Sequence, residues 1–542
     1  MNPDGTLKPG REVYARLGVS SIPRIIGLVD RNPLSPTYGC FDKGYWHYRT
    51  MDFPSGMFQE CVLPLALVYK YRFPGGEEYY KKNRLKELVK AGIRYTSLSS
   101  HRDGSADDYY PYERALGASC FPLYACTEAC IELGIRDEEM IQFFKRRSDW
   151  IMEHEESGRL TNHQALAALC LYNTYILAGD KQYLEGAKRK IKTVLDWQHE
   201  EGWFWEYEGA DPGYQTFTIN YMAKYLKKSG DESIVEPLKR AIDFSSYFMH
   251  PDGSYGGEYG SRNTCVFFPN GYEIMAPNHP PSAIIADAFL KGATEGKIAY
   301  IEDERLFFHF TGNYLEAYLN YSQAARGMVG EPRGNFTRYF PGAGLYIRSE
   351  DENYSIIALN KGGVIKHFTQ GAHRISDTGI AGRTRGGGIV VTHAIGEYDI
   401  EVGERKVSVS GSFSYANHER MTTLKMIILR VFLISIGRFY PNLIRKALQK
   451  RLITGKKRAP IGFSRTFQFE RCGLRIIDEI KYLAFGKNAK LDRLYAGVDG
   501  TSIYVVMSNQ YQVSNLESWT DLSHVLDQLN RDGYARIERT IS

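Results

Sequence analysis

The chain has 542 residues, of which 43% are hydrophobic and 24% charged, with a net charge of +5. It is too long for one ordinary core, too apolar for a disordered chain, and too weakly basic to indicate a nucleic-acid partner. The slight positive excess suits an acidic ligand. The 39 tyrosines and 27 phenylalanines stand out. Aromatic faces stack well on sugar rings, although core packing is the commoner use of any one ring.

The eight cysteines form no CxxC pair and no finger spacing. Cys120, Cys126 and Cys130 fall on one expected helix, where buried thiols are the ordinary reading. The start, MNPDGTLKPGREVYARLG, has no apolar signal-peptide core, so the expectation is a cytoplasmic chain with reduced thiols.

Residues 1–59 are rich in Pro, Gly and aromatics and read as an irregular entry segment around a helical body. From 60 to 332 apolar runs at 61–71, 84–97, 113–133, 138–153, 163–178, 183–198, 214–228, 233–248, 281–294 and 311–327 alternate with Gly-, Asp- or Pro-marked turns. Repeated antiparallel helix pairs predict a toroid or solenoid of helical hairpins, the (α/α) toroid being the reading adopted, with its long aromatic loops on one face. From 333 to 542 short alternating runs such as GLYIRSEDENYSIIALNKGG, KVSVSGSFSYA and TSIYVVMSN predict a mostly antiparallel β-sandwich or layered sheet, the antiparallel β-sandwich being the reading adopted. One stretch breaks that pattern. Residues 423–460 carry an apolar run, Met426 to Ile436, followed by clustered Arg and Lys. The run is too short to span a bilayer. It reads either as an interfacial helix that docks 423–458 on an anionic membrane, which would make the protein peripheral on the inner face, or as a helical excursion packed on the toroid.

The chemistry-bearing residues concentrate between Arg159 and Glu273. Asn162 and His163 open an apolar helix, where free N–H groups favour an anion. GWFWEYEGADPGYQTFTINY brings Trp203, Trp205, Tyr214 and Tyr221, and HPDGSYGGEYGSRN brings Tyr255, Glu258, Tyr259 and Arg262. Removing the proton beside a uronate carboxylate needs donors to that carboxylate, a base and an acid, and Asn, His, Arg and Tyr supply them. Taken singly, each residue has a bland alternative: helix capping for Asn162, a satisfied polar core for His163, packing for the tyrosines. Only convergence on one face favours catalysis.

A helical-hairpin body, an Asn-His pair at a helix start and a following sandwich opened by FPGAGLYIRSEDENYS resemble the heparinase II/III and alginate-lyase group of polysaccharide lyases. The resemblance implies that Asn162 and His163 neutralise the substrate carboxylate and that a tyrosine one hairpin later exchanges the proton. Tyr221 is the best-placed match, with Tyr214 in reserve and Tyr255 and Tyr259 open. In HRISDTG it implies that His373 reaches the active site and that neighbouring residues hold a structural zinc. Ile375 stands where a second histidine is expected, which leaves Asp377 and His393 short of a ligand, with His367 the one replacement; no metal ligand is assigned. Three readings follow: a lyase that cleaves an anionic, uronate-containing polysaccharide by β-elimination; a uronate C5-epimerase or related tailoring enzyme; and a non-catalytic glycan-binding protein on the same scaffold.

Overall fold

The computed structural model describes residues 10–156, 158–301, 305–327, 334–416, 421–449, 457–470, 473–483, 490–500 and 510–541. The domain boundary expected at 332–333 and the strand expected in TSIYVVMSN lie outside these residues.

The N-terminal part is a closed double ring of helices. The inner ring runs α4 (Val62–Lys70), α6 (Leu116–Leu133), α8 (Thr161–Ala178), α10 (Pro212–Ser229), α12 (Pro269–Met275) and α14 (Phe307–Asn320), and α14 packs back on α4. Each inner helix has an outer partner: α5 (Asn83–Leu98), α7 (Glu138–Glu153), α9 (Lys181–Asp196), α11 (Val235–Ser246), α13 (Pro280–Thr294) and, for α14, α1 (Glu12–Val19). The sequence explains which ring each helix joins. In α8, TNHQALAALCLYNTYILA is apolar or small on most sides and buried along most of its length. In α9, Tyr183, Ala187, Lys190, Ile191 and Val194 form one buried stripe, and most other positions face solvent.

The entry segment differs from expectation. It carries α1, α2 (Ile22–Leu28) and the short α3 (Lys43–Trp46), and α1 completes the ring. Gly18 permits this, because a Cβ there would stand 2.7 Å from the Leu315 side chain on α14. The seven-residue α12 is also absent from the apolar pattern, hidden in a Pro- and Gly-bearing stretch.

Because inner and outer helices alternate in direction, the inner helices run parallel and their N-termini share one mouth of the ring. Two antiparallel sheets follow. The smaller has the order β3 (Phe336–Phe340), β4 (Leu345–Glu350), β5 (Asn353–Ala358), β6 (Val364–Thr369) and β7 (Ala372–Asp377). Its strands alternate between two cores: Leu345, Ile347, Ile356, Ala358 and Val364 join the helical core, while Tyr346, Ile357 and Ile365 face the second sheet. The second sheet contains β8 (Ile380–Thr384), β9 (Ile389–Val391), β11 (Lys406–Tyr415), β12 (Lys457–Glu470), β13 (Gly473–Tyr482), β14 (Leu491–Ala496), β15 (Thr520–Asp521) and β16 (Tyr534–Ile541), with β10 (Asp399–Val402) paired to β11. Between β11 and β12 the chain leaves the sheet as α15 (Thr423–Ser435) and α16 (Pro441–Gln449). The chain is thus an (α/α) toroid followed by an antiparallel β-sandwich.

Candidate active site

The mouth of the ring gathers the segments that precede the inner helices. A two-strand hairpin, β1 (Trp205–Glu206) and β2 (Gly209–Ala210), turns through Tyr207, whose φ of +56° is in the left-handed region. The turn delivers Glu206 under the first turn of α8. There Glu206 Oε1 accepts the Asn162 backbone N–H at 3.1 Å and Asn162 Nδ2 at 2.8 Å. Beside it, His163 Nδ1 pairs with Glu156 Oε1 at 2.8 Å, and the imidazole packs edge-on against Phe121.

Asp211 caps α10 by accepting Tyr214 N–H at 3.0 Å, and its other oxygen accepts Arg262 N–H at 2.8 Å. One carboxylate therefore ties the start of α10 to the loop that carries Arg262. The sandwich braces the same loop, since Lys361 Nζ donates to the carbonyls of Glu258 and Gly260 and to Asn263 Oδ1. The Arg262 guanidinium then lies 4.1 Å over the Tyr214 ring and 4.6 Å over that of Tyr207, with Nη1 3.6 Å from Glu206 Oε2.

Three polar atoms in this cluster are buried with no hydrogen-bond partner among the described residues: Asn162 Oδ1, Glu206 Oε2 and Arg262 Nε. Native interiors pair most such atoms, and these three in one cluster offer a ligand an amide oxygen, a carboxyl oxygen and a guanidinium donor. Burial pushes the Glu206 carboxyl up to about 7 against the pull of Arg262 and Asn162. Such a carboxyl can serve near neutrality as a proton donor as well as an acceptor. Burial raises the Tyr214 phenol and the Arg262 charge opposes it. Burial acts on Glu156 too, but the hydrogen bond and charge of His163 prevail and hold it below its ordinary value.

The rest of the mouth is ionic. Glu113 accepts the N–H groups of Asp108 and Tyr109 at 3.0 and 2.8 Å, and burial, then the neighbouring Asp108 charge, push it up to about 8. Arg305 pairs with Asp108, and Arg445 from α16 donates to the carbonyls of Glu113 and Arg114 at 2.7 Å each.

The structure brings together Asn162, His163, Tyr214 and Arg262. Tyr221 lies two turns further along α10, 1% exposed, its ring against Phe121 and Tyr124. Burial raises its phenol, and the charges of Glu60 and Glu316 raise it further. Trp203 is fully buried, stacked on His199 with Nε1 bonded to Glu201, which leaves no ring face for a sugar. Trp205 is half-buried under the Arg159 guanidinium. Tyr255 and Tyr259 serve the loop itself: Tyr255 OH donates to Pro212 O at 3.2 Å, and Tyr259 OH pairs with His250 Nε2 at 2.9 Å. Glu258 accepts from Asn515 at 2.5 Å. His373 is held within the sandwich by Ser376 at 3.0 Å, Glu517 at 3.1 Å and the Phe368 ring. Burial holds it down at about 3.

Glu206, Tyr207, Asp211 and Glu156 belong to the same cluster, and sequence reasoning does not single them out. Three of them stand in WEYEGAD beside the chosen tryptophans, but their roles depend on a hairpin turn too short for a strand signal. The carboxylate that the sequence offers for zinc is fully engaged: Asp377 pairs with Arg465 at 2.8 Å and Arg539 at 2.7 Å. Among the described residues no group of three His, Cys, Asp or Glu side chains is placed to hold a metal ion.

No family model matches the chain, and no curated protein matches it in sequence. Among solved structures it is similar to the Streptomyces coelicolor A3 chondroitin AC lyase in complex with chondroitin sulphate. That match has a TM-score of 0.57 at 10% identity and covers 92% of this chain and 69% of that one. A mutant of the same lyase gives a TM-score of 0.51 over the same shares. An unsaturated glucuronyl hydrolase from Bacillus sp. GL1 matches 59% of this chain at a TM-score of 0.41 and 13% identity. At such identity the likeness to the lyase establishes a shared fold.

Proposed function

We propose that the protein is a polysaccharide lyase that cleaves a uronate-containing anionic polymer by β-elimination. The observation that carries this reading is the trio of unpaired buried atoms, Asn162 Oδ1, Glu206 Oε2 and Arg262 Nε, beside the Tyr214 phenol. Arg262 and the protonated oxygen of Glu206 would meet the uronate carboxylate, while Asn162 Oδ1 accepts a sugar hydroxyl and its amide holds Glu206 in place. Neutralising the carboxylate acidifies the C5 hydrogen, which is the difficult part of the reaction. Tyr214 as phenolate takes that proton, the C5–H electrons form the C4=C5 double bond, and the C4–O bond breaks with its electron pair. The same phenol then protonates the departing oxygen. Arg262 over the ring and the N-terminus of α10 both favour the phenolate that the first step needs. His163, held by Glu156, faces the same mouth and assists binding of the anion. The parallel N-termini of the inner helices add a positive field there. The likeness in fold to a lyase solved with chondroitin sulphate supports the substrate class.

The test uses a panel of uronate polymers in deuterated water. Elimination gives a rising ultraviolet absorbance from the unsaturated uronate. Deuterium at C5 of recovered polymer without absorbance would replace elimination by epimerisation. Binding with neither signal would remove catalysis from the account.

A further inference from the structure

We propose that the two-helix insertion at 423–449 docks on an anionic membrane surface, with the outward face of α15 seated in the lipid interface. This proposal stands independently of the reaction above. Surface helices ordinarily turn an apolar stripe inward and a polar face to water. In α15 the arrangement is reversed. Only Leu433 is buried, while Leu424, Ile427, Ile428 and Val431 are 55–67% exposed and Met426, Phe432 and Ile434 lie beside them. Phe439, Tyr440 and Leu443 continue the patch beyond the helix at 61–65% exposure. Twelve of the 26 large apolar side chains exposed among the described residues fall between Met421 and Leu443, so the patch is a feature of this segment and not of the surface at large.

Charge selects the occupant. Residues 421–458 contain ten Lys and Arg, of which Arg430 and Arg445 are held by the ring mouth, and no Asp or Glu. A symmetric dimer through this face would set two such cationic segments against each other. An anionic bilayer answers both features at once, taking the apolar face between its headgroups and the basic groups at its surface. Thirteen residues span about 20 Å, short of the hydrocarbon thickness, and no described helix is long and apolar enough to cross a membrane. The insertion is anchored to the ring mouth rather than loose: Arg430 pairs with Asp52 at 3.2 Å and packs on Phe53, and Arg445 bonds the carbonyls of Glu113 and Arg114. Arg445 also stands 3.8 Å from Glu156, the carboxylate that holds His163. Docking would therefore bring the mouth of the ring to the membrane.

The experiment is sedimentation of the full chain with vesicles of phosphatidylcholine alone or with about a third phosphatidylglycerol. The expected result is binding about tenfold or more stronger to the anionic vesicles, weakened by salt. Binding should be lost in the Ile428→Asp, Val431→Asp double variant with no change in thermal midpoint, since both side chains are already exposed. The Arg438→Glu, Lys446→Glu variant should reduce it through charge alone. Protein that stays in the supernatant with anionic vesicles, or binding that survives both variants, overturns the proposal. So does a lipid-free dimer that the double Asp variant dissolves, which would make a second copy the occupant.

Discussion

Two clusters of buried charge in this molecule obey opposite rules. In the sandwich, both oxygens of Asp377 and both of Asp478 are paired, through Arg465 and Arg539, at 2.7–3.3 Å. Burial alone would raise Asp377, but the two guanidinium groups overcome it and hold the carboxyl at about 2. At the mouth of the ring Glu206 is equally buried, has one oxygen hydrogen-bonded and the other 3.6 Å from Arg262 Nη1 without a hydrogen bond, and is pushed up to about 7. In the first cluster every carboxylate oxygen is hydrogen-bonded or ion-paired and only Arg539 Nε lacks a partner among the described residues, so its ions serve the fold. The second leaves an oxygen of its carboxylate without a hydrogen bond, beside Asn162 Oδ1 and Arg262 Nε, and the proposed function assigns that difference to a ligand.

The sharpest way to break this contrast is to unpair the sandwich. Arg465→Met leaves two buried carboxylates sharing the single guanidinium of Arg539 and should cost about 3 kcal/mol in urea unfolding, with activity per folded molecule unchanged. The stabilisation of Asp377 is fully present above the ordinary carboxyl range and is lost as pH falls toward 2, so an acid titration of wild-type stability should show its loss there. Arg262→Ala is the converse. It should lower kcat/KM about a hundredfold or more while moving the denaturation midpoint far less than Arg465→Met does. Arg262→Lys should fail to restore activity, because a point charge replaces a planar group stacked on two tyrosine rings. The smallest effect belongs to Glu206→Gln. The folded state holds a proton on Glu206 that the unfolded chain has already released between the ordinary carboxyl range and about 7. Wild-type stability therefore falls as pH rises through that window, and the variant should flatten the slope. A slope that is unchanged would show that Glu206 ionises normally.

The ring is largely legible in the sequence, because Gly- and Asp-marked turns such as LAGDKQY separate runs whose apolar character differs between inner and outer helices. The entry segment is not, since α1 and α2 are short and owe their stability to packing against α14 and α4. At the site, Asn162 and His163 stand out at a helix start. Tyr221 looks better placed than Tyr214, because spacing along a helix does not reveal depth. Seven residues carry Tyr221 about 10 Å further into the ring, beyond the Arg262 charge that offsets the carboxylate neighbours of Tyr214. Glu206 is hidden for a related reason: its chemistry comes from burial beneath Asn162, a tertiary fact with no sequence pattern of its own. His373 draws attention through its neighbours in HRISDTG, yet its partners Ser376 and Glu517 belong to the sandwich.

The choice between the two phenols is the central claim, and one measurement addresses it. Wild-type protein, Tyr214→Phe and Tyr221→Phe are compared for ultraviolet absorbance on the uronate polymer that the wild type degrades. The account predicts that Tyr214→Phe loses about a thousandfold or more of the rate, within the range of a general acid–base group, while Tyr221→Phe stays within a few-fold. Loss in Tyr221→Phe with Tyr214→Phe still active would contradict it and move the chemistry from the mouth of the ring into its interior.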